Sequence, residues 1–148
     1  MGTEKSKSEL VSLSYISNSV LLPGMEQREQ FAQILETSRL KNSALDVTGA
    51  LLFHDERWLQ VLEGQRCAVE ELFETIRRDP RHDRVTHQGT HPASKRYFAD
   101  WSMAFLDPGA AGLAFCGLSL KELQETETAS AAPIIEWMRD KLVGTQPN

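Results

Sequence analysis

The chain has 148 residues, 41% of them hydrophobic and 25% charged, which fits one ordinary globular domain with room for an appendage. Net charge is −5 and the basic residues are scattered, which argues against a nucleic-acid partner. No apolar run approaches the roughly 20 residues that span a bilayer, and the N-terminal MGTEKSKSEL lacks the apolar core of a signal peptide, so a cytoplasmic protein is expected.

Residues 1–8 are polar and read as a tail. From Glu9 to Ser17 apolar and small polar residues alternate at the strand period, with Val11, Leu13 and Tyr15 on one face and Leu10, Ser12, Ser14 and Ile16 on the other. Past a break at Pro23-Gly24, the segment from about Met25 to Lys41 places Phe31, Ile34, Leu35 and Ser38 at helical spacing. This amphipathic helix is expected to end near Asn42.

The next stretch, 42–64, reads as a hairpin around which the rest is arranged. Val47 to His54 and Trp58 to Glu63 are strand-forming runs joined by the polar connection Asp55-Glu56-Arg57. Alternation puts Trp58, Gln60 and Leu62 on one face and Leu59, Val61 and Glu63 on the other. Gln60 is the anomaly, because an amide between apolar neighbours in a strand is expected to be buried and must satisfy two donors and a carbonyl. Either backbone or water does so, or Gln60 bonds a ligand.

Gly64 closes the hairpin, and Val69, Leu72, Phe73 and Ile76 mark a second amphipathic helix that stops before Pro80. Cys67 is expected near its start. With Cys116 it shows no metal-like spacing, and both read as reduced, small buried thiols. Arg84 to Gln88 is a weak polar strand, and Phe98 to Phe105 a stronger one with Trp101, Met103 and Phe105 on one parity. The order βαββαββ, with two helices on one face of a mixed sheet, predicts an α+β, ferredoxin-like fold whose edge strand comes from the last hairpin.

Pro108, Gly109 and the AAG that follows mark a joint between a domain at 9–107 and a C-terminal helical extension at 108–148. Ser119 with Glu122 is a capping-box pair before a short helix, and Pro133 opens another carrying Ile134, Trp137, Met138 and Leu142. That apolar stripe must cover either the bare face of the sheet or a second subunit, so a homo-oligomer is one expectation.

From Glu9 to Phe105 these residues resemble the BLUF domains, blue-light sensors using flavin. The resemblance rests on Tyr15 in the first strand, Asn42 before D-V-T-G, and the W-L-Q-V-L-E-G run that holds Gln60. D-P-R-H at 79–82 and R-Y-F-A-D-W-S-M ending in Trp101 and Met103 complete it. Five elements in order are specific where a lone TG or LEG is not. The resemblance implies a ferredoxin-like fold and a non-covalently bound flavin, FAD with FMN or riboflavin as alternatives, standing between the two helices.

It also implies the site residues. Tyr15, Asn42, Gln60, Arg81 and His82 contact the flavin, and amides suit a neutral ring because they donate and accept without burying charge. Tyr15 gives an electron and then a proton to the excited flavin, Gln60 is left rearranged by rotation, tautomerism or both, and Trp101 and Met103 relay the signal to a partner protein. Where the family often carries a second amide or a histidine before the asparagine, this chain has Lys41, and its link between Tyr15 and Asn42 is a few residues longer.

Taken one at a time the same residues have plainer readings. Tyr15 would be a packed aromatic with a wet hydroxyl, Asn42 a helix terminator, Trp101 and Met103 core, and Arg81 and His82 caps of the turn after Pro80. A phosphoryl or acyl-phosphate hydrolase is a poorer match, for there is no phosphate-cradling glycine loop and no nucleophile-base pair. A flavin-binding or flavin-free regulatory module that ignores light remains the alternative, since fold alone does not assign function. No output enzyme follows residue 108, so a non-enzymatic sensor acting through a partner is expected.

Overall fold

The structure is a computed structural model that describes residues 9–107, 119–126 and 130–143. The expected joint at 108–112, Cys116 and the 1–8 tail lie outside these residues. The elements are β1 (Leu10–Ser19), α1 (Gln27–Ala44), β2 (Thr48–His54), β3 (Arg57–Gln65), α2 (Arg66–Arg77), β4 (His82–Pro92), β5 (Ala104–Leu106), α3 (Leu120–Glu125) and α4 (Ala132–Leu142). The strands form one sheet in the order β4-β1-β3-β2-β5, antiparallel except for the β2–β5 pair.

The β2–β3 hairpin turns on two residues, Asp55 and Glu56, at φ +52° and +57°. Positive φ at both central positions is the turn whose twist matches paired strands. Arg57 therefore belongs to β3, not to the connection. The hairpin packs tightly at Gly49, where a Cβ would stand 2.1 Å from the carbonyl oxygen of Val61. Only glycine fits there.

The sheet has an apolar core on each face, and the strand period sorts residues between them. Val11, Leu13, Tyr15, Leu51, Trp58 and Leu62 pack beneath α1 and α2 through Ile34, Val69 and Leu72. Ile16, Ala50, Leu52, Leu59 and Val61 pack against α3 and α4 through Leu120, Leu123, Ile134, Trp137 and Met138. The stripe on α4 thus covers the sheet face left bare by α1 and α2. Each such side chain contributes roughly 1.5–3 kcal/mol when buried. Ser119 caps α3 by accepting from the Glu122 amide at 3.1 Å, as its spacing predicts.

Three expectations need correction. The last two strands are not a hairpin: β4 pairs with β1 at one edge, while β5 pairs with β2 at the other. β4 runs eleven residues rather than five, because an edge strand needs one partner and no apolar face. β5 has only three residues. Residues 98–103 instead form a turn closed by the Trp101 amide on the Phe98 carbonyl at 2.9 Å, followed by a strap. Parity fails as a result, and Trp101 packs with the α3–α4 core while Met103 and Phe105 join the α1–α2 core.

Helix α1 ends near Asn42 as expected, at Ala44, the left-handed residue being Asp46 at φ +54°. The Asn42 carbonyl accepts from Leu45 and Val47 amides at 3.2 and 2.8 Å, so its backbone ends the helix while its side chain points elsewhere. The third correction is Cys67, which is exposed rather than buried, on the solvent side of the first turn of α2.

Candidate functional site

A cleft opens between α1 and α2. Ile34, Ser38 and Asn42 line one wall, Leu72 and Ile76 the other, and Leu51 and Gln60 its floor, with Asp79, Arg81 and His82 at one end. The walls mix apolar side chains with Thr37, Ser38, Thr75 and Lys41, and the amides of Gln60 on the floor and Asn42 on one wall face the cleft, a combination suited to a flat heterocycle with polar edges.

Tyr15 and Gln60 are direct cross-strand partners on β1 and β3, which places both side chains on the same face. Both are buried, and the Tyr15 hydroxyl donates to Gln60 Oε1. That bond fixes the amide, turning Nε2 toward Met103, whose sulfur it meets at 3.5 Å. A thioether is a weak acceptor, so Gln60 keeps donor capacity facing the cleft. Burial raises the Tyr15 phenol well above its ordinary value, with the Asp79 carboxylate adding to the effect.

Asn42 is buried in the last turn of α1 and donates from Nδ2 to the Ser102 carbonyl at 2.7 Å. It ties the cleft to the strap that leads into β5. Arg39, one turn earlier, donates to the Met103 carbonyl at 3.1 Å. Spacing did not single out Arg39 because its partner is a backbone oxygen 64 residues away.

At the end of the cleft Arg81 forks onto Asp79, with Nη2 at 2.6 Å and Nε at 3.0 Å. Burial works to raise the Asp79 carboxyl, but the bonds and charge from Arg81 outweigh it and hold it below its ordinary value. His82 Nδ1 lies 2.8 Å from Ser17 Oγ, and its ring meets Tyr15 edge-on at a centroid distance of 5.9 Å. Burial lowers His82 to about 4 against the pull of Asp79, with Arg81 pushing the same way as burial. It is therefore neutral near pH 7. Ser17 is a site residue that its place in strand alternation would have suggested only once His82 was known to face it.

The structure thus brings together Tyr15, Asn42, Gln60, Arg81, His82 and Met103 around one cleft. It does not bring Trp101, which is half-buried on the other face of the sheet. A second cavity of about 330 Å³ lies on that other face, between the 92–97 loop and α4, and touches none of these six. Among the described residues no group of His, Cys, Asp and Glu is arranged to hold a metal, and no helix is long and apolar enough to cross a membrane.

Comparison with known proteins agrees with this architecture. The solved structure "BlrB - a BLUF protein, dark state structure" superposes with a TM-score of 0.75 at 30% identity, covering 92% of this chain and 99% of that one. A photoactivated adenylate cyclase subunit beta from Euglena longa is 34% identical over 97 residues, 65% of this chain. The blue light- and temperature-regulated antirepressor BluF of Escherichia coli (strain K12) is 29% identical over 82 residues, 55% of this chain. This chain spans 11% of the length of the first of these relatives and 20% of the second. Residues 10–104 match the family model described as BLUF, sensors of blue-light using FAD, and the chain belongs to that family. It is a blue-light sensor of ferredoxin-like fold, and its cofactor is a flavin.

Proposed function

We propose that the α1–α2 cleft holds the flavin, taken to be FAD, and that Tyr15 and Gln60 convert its excitation into a changed hydrogen-bond pattern. The donor set fits such a ring: the uncharged amides of Asn42 and Gln60, the apolar Ile34, Leu51, Leu72 and Ile76 around them, and a Gln60 N–H group matched only with a sulfur. Asn42 and Gln60 orient the ring edge, and Arg81 and His82 close the end of the cleft. When bound, the flavin supplies an electron acceptor that is strong only while excited by blue light.

The observation that carries the reading is the buried Tyr15–Gln60 pair. Tyr15 is held as a neutral phenol; it would lose an electron to the bound flavin, the acidified phenol would pass its proton along the existing bond to Gln60 Oε1 while Gln60 Nε2 gave one up to the flavin, and return of an electron and a proton to Tyr15 would leave Gln60 rearranged. Gln60 then has two arrangements. In one, Oε1 accepts from Tyr15 and Nε2 faces Met103; after reversal or tautomerism of the amide the donor and acceptor ends exchange. Met103 feels that exchange directly, and the strap transmits it to α3 and α4, from which a partner protein takes the signal. The domain at 9–107 senses and the helices beyond it report, in a cytoplasmic, non-enzymatic protein that works with a partner or a second copy of itself.

A light-minus-dark absorption spectrum of the purified protein tests this. The expected result is a yellow protein whose flavin bands shift reversibly to the red under blue light. A colourless protein that refuses added flavin, or a flavin spectrum unchanged by light, would count against it.

A further inference from the structure

Glu63 is a charged residue in a core position. It lies three residues beyond Gln60 on β3, is only 2% exposed, and faces the α3–α4 side of the sheet. Its carboxylate accepts from the Tyr97 amide at 2.6 Å, the Phe98 amide at 3.0 Å and Thr48 Oγ1 at 3.0 Å. Arg96 braces the group from outside, donating to Thr48 Oγ1 at 3.2 Å and to the Glu63 carbonyl at 3.3 Å. All the carboxylate contacts arrive as donors, so the group is used as an anion.

These bonds hold one end of the strap. Its other end is tied by Asn42 to the Ser102 carbonyl, by Arg39 to the Met103 carbonyl and by Gln60 to the Met103 sulfur. Between the two ends the Gly49 amide holds the Trp101 carbonyl at 3.1 Å. Both ends of the strap are therefore referenced to the same strand, Gln60 on one face and Glu63 on the other.

We propose that Glu63 is the positioning residue of the light response: it pins residues 97 and 98 so that Met103, not Trp101, stands at Gln60. The inference rests on the sensor reading above and adds a fixed point to it. With Glu63 in place, a rearranged amide must act on the short span 99–103; without it, the whole strap slides and the change at Gln60 is absorbed before it reaches Trp101 and α4. Neither Tyr15, Gln60 nor Asn42 touches Glu63, so flavin binding and the primary spectral shift do not depend on it.

The test uses Glu63→Gln in the full chain, with two readouts. One is the rate at which the red-shifted spectrum returns in the dark; the other is the Met103 methyl resonance in protein labelled at its methionine methyls. An amide of the same size offers one good acceptor where three donors converge, so recovery should change by at least fivefold and the Met103 signal should move or broaden in the dark. Glu63→Asp, which keeps the charge, should restore both partway. Should Glu63→Gln fail to fold, Arg96→Gln removes the brace and is read the same way, with a smaller change in the same direction. Recovery within twofold of the parent together with an unmoved Met103 signal overturns the proposal, leaving Glu63 a purely structural anchor. Absence of any shift in the parent protein would instead strike at the sensor reading, so the two failures are distinguishable.

Discussion

Gln60 joins a hydroxyl, a sulfur and the cleft through one amide, and that economy makes it separable from binding. Gln60→Leu keeps the volume of the side chain, so the cleft should still take flavin. Tyr15 then has a buried hydroxyl without its acceptor, at a cost of about 1–3 kcal/mol that thermal unfolding should register. The light-minus-dark spectrum of this variant is expected to be flat; a normal red shift would remove Gln60 from its role. Asn42→Ala tests the other amide. It frees the Ser102 carbonyl, and under the proposed binding it also leaves a polar group of the ring edge without its amide partner; a loss of about 1.4 kcal/mol or more there corresponds to at least a tenfold weaker hold on flavin, measured as occupancy after dialysis. Tyr15, Gln60 and Asn42 were legible in the sequence because a motif brought them into one frame. Ser17, Arg39 and Glu63 were not, since their partners are a histidine 65 residues away and backbone groups whose position depends on the strap.

Elements with a strong period were legible, and the weakly patterned ones were not. β1, the β2–β3 hairpin, α1 and α2 fell where alternation and helical spacing put them, because each has one face against a core. β4 was underestimated because an edge strand of mostly polar residues carries little periodic signal. The 98–105 run was overestimated for the opposite reason. Its apolar residues imitate a strand, yet Trp101 faces one core and Met103, two residues on, the other, which the two-residue period of a regular strand does not allow. The C-terminal stripe was read correctly as needing cover, and the fold supplies that cover itself. Gln124 adds a polar latch, accepting from Arg57 Nε at 3.1 Å and donating to the Arg84 carbonyl at 3.0 Å. Ile134→Ala should therefore cost about 2–5 kcal/mol in a thermal or denaturant melt while leaving the spectral shift intact, because Ile134 is on the face away from Tyr15. In the parent protein, amide exchange across α3 and α4 should differ between continuous light and dark. Identical exchange in both states would place the exit of the signal on another surface.

For the molecule as a whole, titration of the cleft sets a pH limit. His82 is held at about 4 in the folded state against an ordinary 6.5. As pH falls through that window the unfolded chain takes up a proton that the folded one refuses, so stability is full above 6.5 and declines toward 4. For a difference of this size the loss is at most about 3 kcal/mol. Asp79, held below its ordinary 3.8, continues the decline at still lower pH. Glu63 opposes it: burial outweighs the bonds from Phe98, Tyr97, Thr48 and Arg96 and raises its carboxyl above 4.5, so stability that Glu63 contributes near pH 4.5 is lost as pH rises through its folded value. Comparison with His82→Asn isolates the histidine. The parent's unfolding free energy should fall more steeply than the variant's between pH 6.5 and 4; parallel curves would refute the assignment.

The sheet that separates the two cores is a single layer, and along β3 neighbouring residues belong to opposite sides: Gln60 to the cleft, Leu59 and Val61 to α3 and α4. Chimeras would feel this at once. A foreign effector grafted directly after β5 would leave Ile16, Leu52, Leu59 and Val61 uncovered on the back of the photochemical strands, whereas one appended beyond Leu142 would inherit the native covering. The productive splice point for an optogenetic tool is therefore after α4, and a replacement for the last two helices has to be chosen for its fit to those four side chains before its activity is considered.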